Sequence, residues 1–245
     1  MTFFKQINDG VLEVNSLPAG LHIGVIAKRA NTVDYSLDSD DIRAGEGRLI
    51  QGIVGNGSTK ILMLNQMHGD AILSIEAPPA EEFYIAGDAD GLITPLQNVC
   101  LVIRSADCVP VFAYDRAQGV LGAAHSGWRG SRLSVARKLV REMKERYGSE
   151  YSEVLIFILP SIGPESYAVR RDVAGLFPSD ISQKDGILYL NLWRNIERSL
   201  REEGIPAGNI LNSGVCTLKN KTEFFSYRGG DTGRNLNYGG FISSP

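Results

Sequence analysis

The chain of 245 residues is long enough to bury a substantial core, and its 43% hydrophobic and 22% charged residues are ordinary for a globular protein. The formal net charge of −3 predicts no general attraction to nucleic acid or acidic membranes. The sequence contains neither an apolar run long enough for a membrane span nor the apolar core of a signal peptide, and its three cysteines suggest no disulfide framework. We therefore expect a cytoplasmic protein without nucleic-acid or membrane partners.

The first half of the chain is predicted to be rich in β-structure. Alternating apolar residues indicate strands within 11–37, and Ser39-Asp40-Asp41 is a candidate cap for a weak helix that extends to Ile53. A turn is predicted at 55–58. Short apolar runs then predict strands at 61–64, 71–75, 99–103, 109–114 and 120–124.

The clearest helix follows residue 125. Apolar residues recur at three- and four-residue steps up to Tyr147, with Ser131 as the candidate N-cap and Gly148 as the candidate C-cap. Further predicted elements are a buried strand at 154–159, a helix at 193–203 and a last strand at 224–228. No repeat or composition break divides residues 1–245, so we predict a single domain with mixed sheets covered by helices.

Three reactive residues lie where apolar runs meet polar or turn-forming residues: His68, Cys108 and His125. Two imidazoles and one thiolate are good zinc ligands, and three protein ligands leave a fourth position for water or substrate. Spacing alone also allows a thiol nucleophile at Cys108, with a histidine as base and Asp107 or Asp90 as the orienting acid. A third alternative is a buried structural thiol beside ordinary loop histidines.

Arginines in two glycine-containing stretches indicate an anion site. Arg129 opens the predicted long helix, where free backbone N–H groups favour an anion. Arg228 precedes a glycine-rich turn that ends at Arg234, and its glycines allow close backbone approach to a ligand. The alternative is that both stretches are tight turns with solvated arginines.

Several blocks of the sequence resemble the YfiH/YlmD family, long labelled multicopper polyphenol oxidase (laccase) and now described as purine nucleoside phosphorylases. The blocks occur in the family's order over about residues 60–240: Gln66-Met67-His68-Gly69, Ala106-Asp107-Cys108-Val109-Pro110-Val111, His125-Ser126-Gly127-Trp128-Arg129-Gly130, Ile162-Gly163-Pro164 and Phe225-Ser226-Tyr227-Arg228 with Thr232-Gly233-Arg234. The resemblance implies a mixed α/β (α+β) fold, a four-layer α/β/β/α sandwich with mixed sheets, similar to the catalytic domain of cytotoxic necrotising factor.

The resemblance also implies an activity and a metal. Zinc is expected on His68, Cys108 and His125. The expected reaction is phosphorolysis of adenosine, inosine, guanosine and S-methyl-5′-thioadenosine, with adenosine deamination as a further activity. Multicopper oxidases build a trinuclear cluster from many histidines, whereas this chain has three in all. Copper oxidase chemistry is therefore not expected.

Purine nucleosides and phosphate are the expected small-molecule partners. Arg29, Arg129 and Arg228 are the candidate phosphate ligands. Cys108 and the two histidines are the candidate catalytic residues, together with Asp107, which is a candidate to orient a neighbouring group or to transfer a proton.

One block departs from the family pattern. The family typically has Thr-Arg-x-Gly-Gly-x-Ser and then Ser-Leu-Asn, whereas this chain has Ala27-Lys28-Arg29-Ala30-Asn31-Thr32-Val33 and then Ser36-Leu37-Asp38. The glycine pair is missing, and Asp38 disfavours a nearby phosphate. This departure predicts a change in substrate binding rather than in metal binding. It motivates one alternative, a zinc-binding protein without turnover. The thiol nucleophile at Cys108 motivates the other, a Cys-His hydrolase or amidase acting on cell-wall precursors.

Overall fold

The computed structural model describes residues 3–54 and 58–242, so residues 55–57 of the predicted turn lie outside the described residues. The helices are α1 (Ser39–Val54), α2 (Trp128–Arg132), α3 (Val135–Tyr147), α4 (Arg171–Ala174) and α5 (Leu192–Glu203). The strands are β1 (Phe4–Asn8), β2 (Val11–Val14), β3 (Leu21–Ile26), β4 (Lys60–Asn65), β5 (Ile72–Ser74), β6 (Phe83–Asp88), β7 (Gly91–Thr94), β8 (Val99–Ser105), β9 (Val109–Asp115), β10 (Val120–Ser126), β11 (Val154–Ile158), β12 (Ala168–Val169), β13 (Ile181–Lys184), β14 (Ile187–Leu190), β15 (Ile210–Asn212) and β16 (Asn235–Phe241).

Two mixed sheets form the centre of the molecule. The first has seven strands in the order β1-β2-β3-β16-β8-β4-β6, and its β8, β4 and β6 run parallel. The second has six strands in the order β15-β11-β9-β10-β7-β5, with a central antiparallel set and a parallel pair at each edge. A small antiparallel sheet, β12-β14-β13, accompanies α4.

Three apolar interfaces stack these elements into four layers. Ile50 of α1 packs on Ile61 and Met63 of the seven-stranded sheet. The inner faces of the two large sheets meet around Phe112, Leu101 and their neighbours. The outer face of the six-stranded sheet is covered by apolar residues of α3 and α5. This order of helix, sheet, sheet and helix confirms the predicted mixed α/β sandwich; the likeness to cytotoxic necrotising factor stays a prediction.

The predicted last strand at 224–228 is wrong. Phe224 is buried, but the chain turns there, and the strand of this region is β16. Asn235 explains how Phe225 is held without a strand partner, because its amide donates to the Phe225 carbonyl and accepts from the Phe225 N–H, at 2.8 and 2.9 Å. β16 is hard to recognise in the sequence because it contains glycines. Glycine is required at Gly240, because a Cβ there would lie 2.3 Å from the Val99 carbonyl oxygen.

The predicted long helix begins later than expected. A short helix, α2, follows Gly127, and the long helix α3 starts only at Val135 after Ser134, whose φ is 60°. Ser131 therefore does not cap the long helix; its hydroxyl lies 2.9 Å from that of Ser126. The C-cap at Gly148 is confirmed, with a left-handed φ of 69°. Across the described ranges, no helix combines the length and the apolar character that crossing a membrane requires.

Candidate metal centre

Strand ends from both large sheets bring three metal-binding side chains together. His68 lies just beyond β4, Cys108 just before β9, and His125 near the end of β10. One ligand atom from each residue lies within 4.8 Å of the others. The two imidazole rings are 4.9 Å apart between centroids and nearly perpendicular, at 83°. We refer to these three residues as the triad.

The triad fits a tetrahedral metal ion. Zinc–ligand bonds of about 2.0–2.3 Å place neighbouring donors roughly 3.3–3.8 Å apart, so small side-chain movements suffice for the three donors to share one ion. Gly127 keeps the space beside them open, because a Cβ there would lie 2.9 Å from the Cys108 Sγ. The donor set of two nitrogens and one sulfur suits zinc, and it leaves one coordination position for water or substrate.

A buried acid, Asp90, organises two members of the triad. Its Oδ1 lies 2.8 Å from Nδ1 of His125 and accepts from the His68 N–H at 3.0 Å. Its Oδ2 accepts from the N–H groups of Gly69 at 2.6 Å and Met67 at 3.1 Å. These bonds hold His68 at a left-handed φ of 60°. They also keep the proton of His125 on Nδ1, so Nε2 is the atom left free for a metal.

The same contacts set the protonation of the triad in the metal-free protein. Burial raises the pKa of Cys108, but hydrogen bonds and charge from His125 and His68 outweigh it and lower this pKa to about 6. Burial lowers the pKa of His125, but Asp90 and the Cys108 thiolate outweigh it and raise this pKa to about 9. Burial likewise opposes ionisation of Asp90, yet its hydrogen bonds to His125 and to the Gly69 and His68 amides lower its pKa. Both shifts favour a thiolate–imidazolium pair in the metal-free protein, and a metal bound there would displace a proton from His125.

Asp107 lies beside the triad with both carboxylate oxygens engaged. Its Oδ1 accepts from the Thr217 hydroxyl and its Oδ2 from the Arg228 N–H, each at 2.7 Å. It adopts a left-handed φ of 88°. Asp107 therefore holds the turn that carries Arg228. Proton transfer by Asp107 stays a prediction.

Two cavities meet at the triad, and both are bordered by His68, Cys108 and Tyr227. The smaller has a volume of about 230 Å³ and contains Arg129 and Arg228. The Arg129 guanidinium lies 4.5 Å from the centroid of the Trp128 ring. That of Arg228 lies 4.9 Å from the Tyr167 ring, and its Nη1 donates to the Ala168 carbonyl at 2.8 Å. Two predicted anion ligands are thus brought together next to the predicted metal ligands.

The larger cavity, about 680 Å³, contains three further guanidinium groups, those of Arg43, Arg104 and Arg234. Arg234 belongs to the glycine-rich turn noted in the sequence, whereas sequence reasoning missed Arg43 and Arg104. Arg43 lies on α1 and Arg104 on β8, so no local motif connects them. The structure does not bring Arg29 to this place: it is not among the residues lining either cavity, and its Nη1 lies 3.4 Å from the Asp9 carboxylate.

The fold and the triad define a mixed α/β protein with a candidate metal centre, and known proteins share this combination of sequence and fold. Residues 22–241 match the family described as "Multi-copper polyphenol oxidoreductase laccase". A purine nucleoside phosphorylase of Bacteroides thetaiotaomicron is 31% identical over 218 residues, which cover 81% of this chain and 78% of that protein. "Adenosine deaminase RL5", from an unknown prokaryotic organism, is 29% identical over 214 residues, 81% of this chain and 80% of its own.

The crystal structure of YlmD from Geobacillus stearothermophilus superposes with a TM-score of 0.87 at 24% identity and covers 99% of this chain and 100% of that chain. The chain belongs to the multi-copper polyphenol oxidoreductase laccase family, the family of YfiH and YlmD. The family resemblance drawn from the sequence blocks is confirmed.

Proposed function

We propose that the chain is a zinc-dependent purine nucleoside phosphorylase acting on adenosine, inosine, guanosine and S-methyl-5′-thioadenosine. The observation that carries the proposal is the meeting of two cavities at a triad suited to zinc, with arginines in both. Relatives named purine nucleoside phosphorylase support the reaction class. The net acidic chain makes this clustering of arginines notable, because no general basic field accounts for it.

The cavity volumes suggest how the two substrates divide the site. Small-molecule sites usually occupy about 300–1,000 Å³. The larger cavity, about 680 Å³, is within this range and suits a nucleoside, whereas the smaller, about 230 Å³, suits inorganic phosphate. Arg129 and Arg228 orient the phosphate in the smaller cavity. An oxygen of the hydrogen phosphate attacks C1′ of the ribose, the bond from C1′ to the purine nitrogen breaks, and the base departs with the proton that the phosphate gives up.

In this proposal Cys108 is a metal ligand. Zinc held there would supply Lewis-acid polarisation of an oxygen ligand. His68 and His125 complete the ligand set, and Asp90 orients His125 through Nδ1. Asp107 positions the Arg228 turn through its bond to the Arg228 N–H.

Adenosine deamination is the second activity of the proposal. It is supported by the relative named adenosine deaminase. Deamination consumes water and releases ammonia, so it proceeds in the absence of phosphate. Phosphorolysis of adenosine consumes phosphate and releases adenine. Product analysis with and without phosphate separates the two activities on one protein preparation.

The test is incubation of zinc-replete protein with inosine and phosphate. The expected products are hypoxanthine and ribose 1-phosphate in equal amounts. His68→Ala is expected to remove turnover, whereas the matched variant His22→Ala retains it, because His22 contacts Glu13 away from the triad. If the wild-type protein forms no more product than His68→Ala, the phosphorylase proposal fails and a zinc-binding protein without turnover is favoured.

A Cys-His hydrolase acting on cell-wall precursor amides is the second candidate function. It is favoured by the lowered pKa of Cys108 beside His125. This reaction needs no metal, so it predicts amide hydrolysis in excess chelator and an acyl adduct on Cys108. Loss of all activity in chelator, restored by zinc, excludes it.

A further inference from the structure

The larger cavity contains more positive charge than an uncharged nucleoside requires. Three arginines line it, and the lining contains one acid, Asp88, which accepts from the Asn65 amide at 2.9 Å. A second acid, Glu46, lies beneath the lining and pairs with Arg104. Among the described residues, Arg43 has no ion-pair partner. The arginine charges at this cavity are therefore not fully compensated by ion pairs.

Buried groups fix the direction of Arg104. The Glu46 carboxylate is fully buried, and its Oε2 lies 2.7 Å from Nε of Arg104. The Tyr35 hydroxyl donates to the other oxygen of Glu46 at 2.9 Å. Gln66 holds the Arg104 backbone on both sides, accepting from its N–H and donating to its carbonyl, each at 2.8 Å. An arginine held in this way presents its remaining N–H groups to a ligand at little entropic cost.

The backbone of Arg234 is fixed by the segment before α1, and its Nη1 donates to the Thr232 and Gly233 carbonyls at 2.6 and 2.9 Å, which leaves its other guanidinium N–H groups for a ligand. The Asn31 side-chain amide donates to the Arg234 carbonyl at 2.8 Å, and the Tyr35 hydroxyl lies 3.2 Å from the same oxygen. The preceding Gly233 lets the turn pack on Phe225, because a Cβ there would lie 2.4 Å from the ring. The contacts of Tyr35 thus connect the turn of Arg234 with the Glu46–Arg104 pair on the same side of the cavity.

We propose that Arg43, Arg104 and Arg234 form a second oxyanion subsite, separate from Arg129 and Arg228, which binds a phosphate-type group in the larger cavity. Planar guanidinium groups from α1, β8 and the turn before β16 suit an oxyanion with several acceptor atoms. Two sources share this chemistry: free phosphate, and a phosphomonoester attached to the nucleoside. The choice of phosphate rests on the proposed phosphorolysis, whereas the subsite itself rests on the arginines.

The test measures binding and does not depend on turnover. Inorganic phosphate, adenosine and adenosine 5′-monophosphate are titrated by calorimetry into zinc-replete wild-type protein and into Arg43→Gln, Arg234→Gln and Arg48→Gln. Arg48 is the matched control, because it is an exposed arginine on the same helix as Arg43 and lies outside both cavities. Arg104 is left intact, because its loss strands the buried Glu46 carboxylate.

If the oxyanion belongs to a nucleotide, adenosine 5′-monophosphate binds the wild-type protein about 10- to 100-fold more tightly than adenosine, and Arg43→Gln and Arg234→Gln reduce that advantage at least fivefold relative to Arg48→Gln. If the oxyanion is free phosphate, the same two variants weaken phosphate binding at least fivefold while the nucleotide has no advantage. Effects below fivefold on both ligands overturn the subsite. Absence of hypoxanthine in the separate inosine assay overturns the phosphorylase proposal and leaves this binding result standing.

Discussion

Asp90→Asn isolates the role of the acid behind the triad, because it keeps the side-chain volume and removes the charge. Asp90 is fully buried, and each of its oxygens faces two N–H groups: those of His125 and His68 on Oδ1, and those of Gly69 and Met67 on Oδ2. An asparagine has one acceptor oxygen. Whichever way it turns, its NH₂ group faces two N–H donors: the buried His125 ring with the part-buried His68 amide, or the part-buried amides of Gly69 and Met67.

The geometry gives the magnitude. A fully buried donor left without an acceptor costs about 1–3 kcal/mol, and since the loop N–H groups are only part-buried, two unmatched donors should lower the free energy of unfolding by about 1–3 kcal/mol in total. Loss of the carboxylate behind a histidine ligand typically weakens metal binding about 10- to 100-fold. The free energy of unfolding is measured by urea unfolding in chelator, and the zinc affinity is measured separately by competition against a chromophoric chelator.

Asp88→Asn is the matched control for this measurement. Asp88 is an exposed acid two positions earlier, and its contact is the side-chain amide of Asn65. We expect its unfolding free energy and zinc affinity to stay close to those of the wild type. The reasoning is refuted if Asp90→Asn unfolds within about 0.5 kcal/mol of Asp88→Asn and binds zinc within threefold of it.

Three further substitutions test other contacts. Gly127→Ala is expected to weaken zinc binding at least tenfold, because its Cβ would lie 2.9 Å from the triad sulfur. The control Gly208→Ala, whose Cβ would have no heavy atom within 4 Å, should leave zinc affinity unchanged. Equal zinc affinities of the two variants would contradict the prediction. Hydrogen bonds from Arg141, with those of its neighbours, lower the pKa of Glu203 to about 2. A carboxyl group whose pKa is lowered in the folded protein stabilises the fold at pH values above its unfolded pKa of about 4.3. Glu203→Gln should therefore lower the free energy of unfolding by about 1–2 kcal/mol at pH 7, a value discounted for the exposed partners of Glu203. The gap between variant and wild type in urea unfolding should close between about pH 5 and pH 2. A gap independent of pH contradicts that assignment. Arg29→Ala should change phosphate affinity less than twofold by calorimetry, because Arg29 contacts Asp9; a tenfold loss would return Arg29 to the phosphate site.

Local patterns in the sequence predicted the elements that have strong periodicity or continuous apolar runs. The strand that follows Cys108 and the strand that carries His125 are fully buried in the structure, and their apolar runs are visible in the sequence. β16 was missed because two of its residues are glycines, and their reason is the close approach of other strands. Such tertiary approach leaves no local periodicity, so a sequence pattern cannot reveal it.

The candidate site also contains residues that local sequence patterns reveal and residues that only the fold reveals. The triad and Arg129 lie in short sequence blocks and are visible in the sequence alone. The sequence suggests Asp90 only as an orienting acid for a cysteine nucleophile, whereas the structure places it behind His125 with three loop amides on its oxygens. Arg43 comes from α1, far from any block in the sequence, and only the packing of α1 against the seven-stranded sheet brings it to the cavity.

The segment that departs from the family pattern has a structural purpose of its own. Asp38 was expected to disfavour a phosphate, yet its Oδ1 accepts from the N–H groups of Asp40 and Asp41, each at 3.0 Å, and so caps α1. Aspartate caps a helix as well as asparagine does, so this replacement preserves the cap and engages the acid. Asn31 contributes by holding the Arg234 carbonyl. Since α1 carries Arg43, the cap and the Asn31 contact both determine where cavity arginines lie, and the departure bears on the larger cavity rather than on the metal ligands.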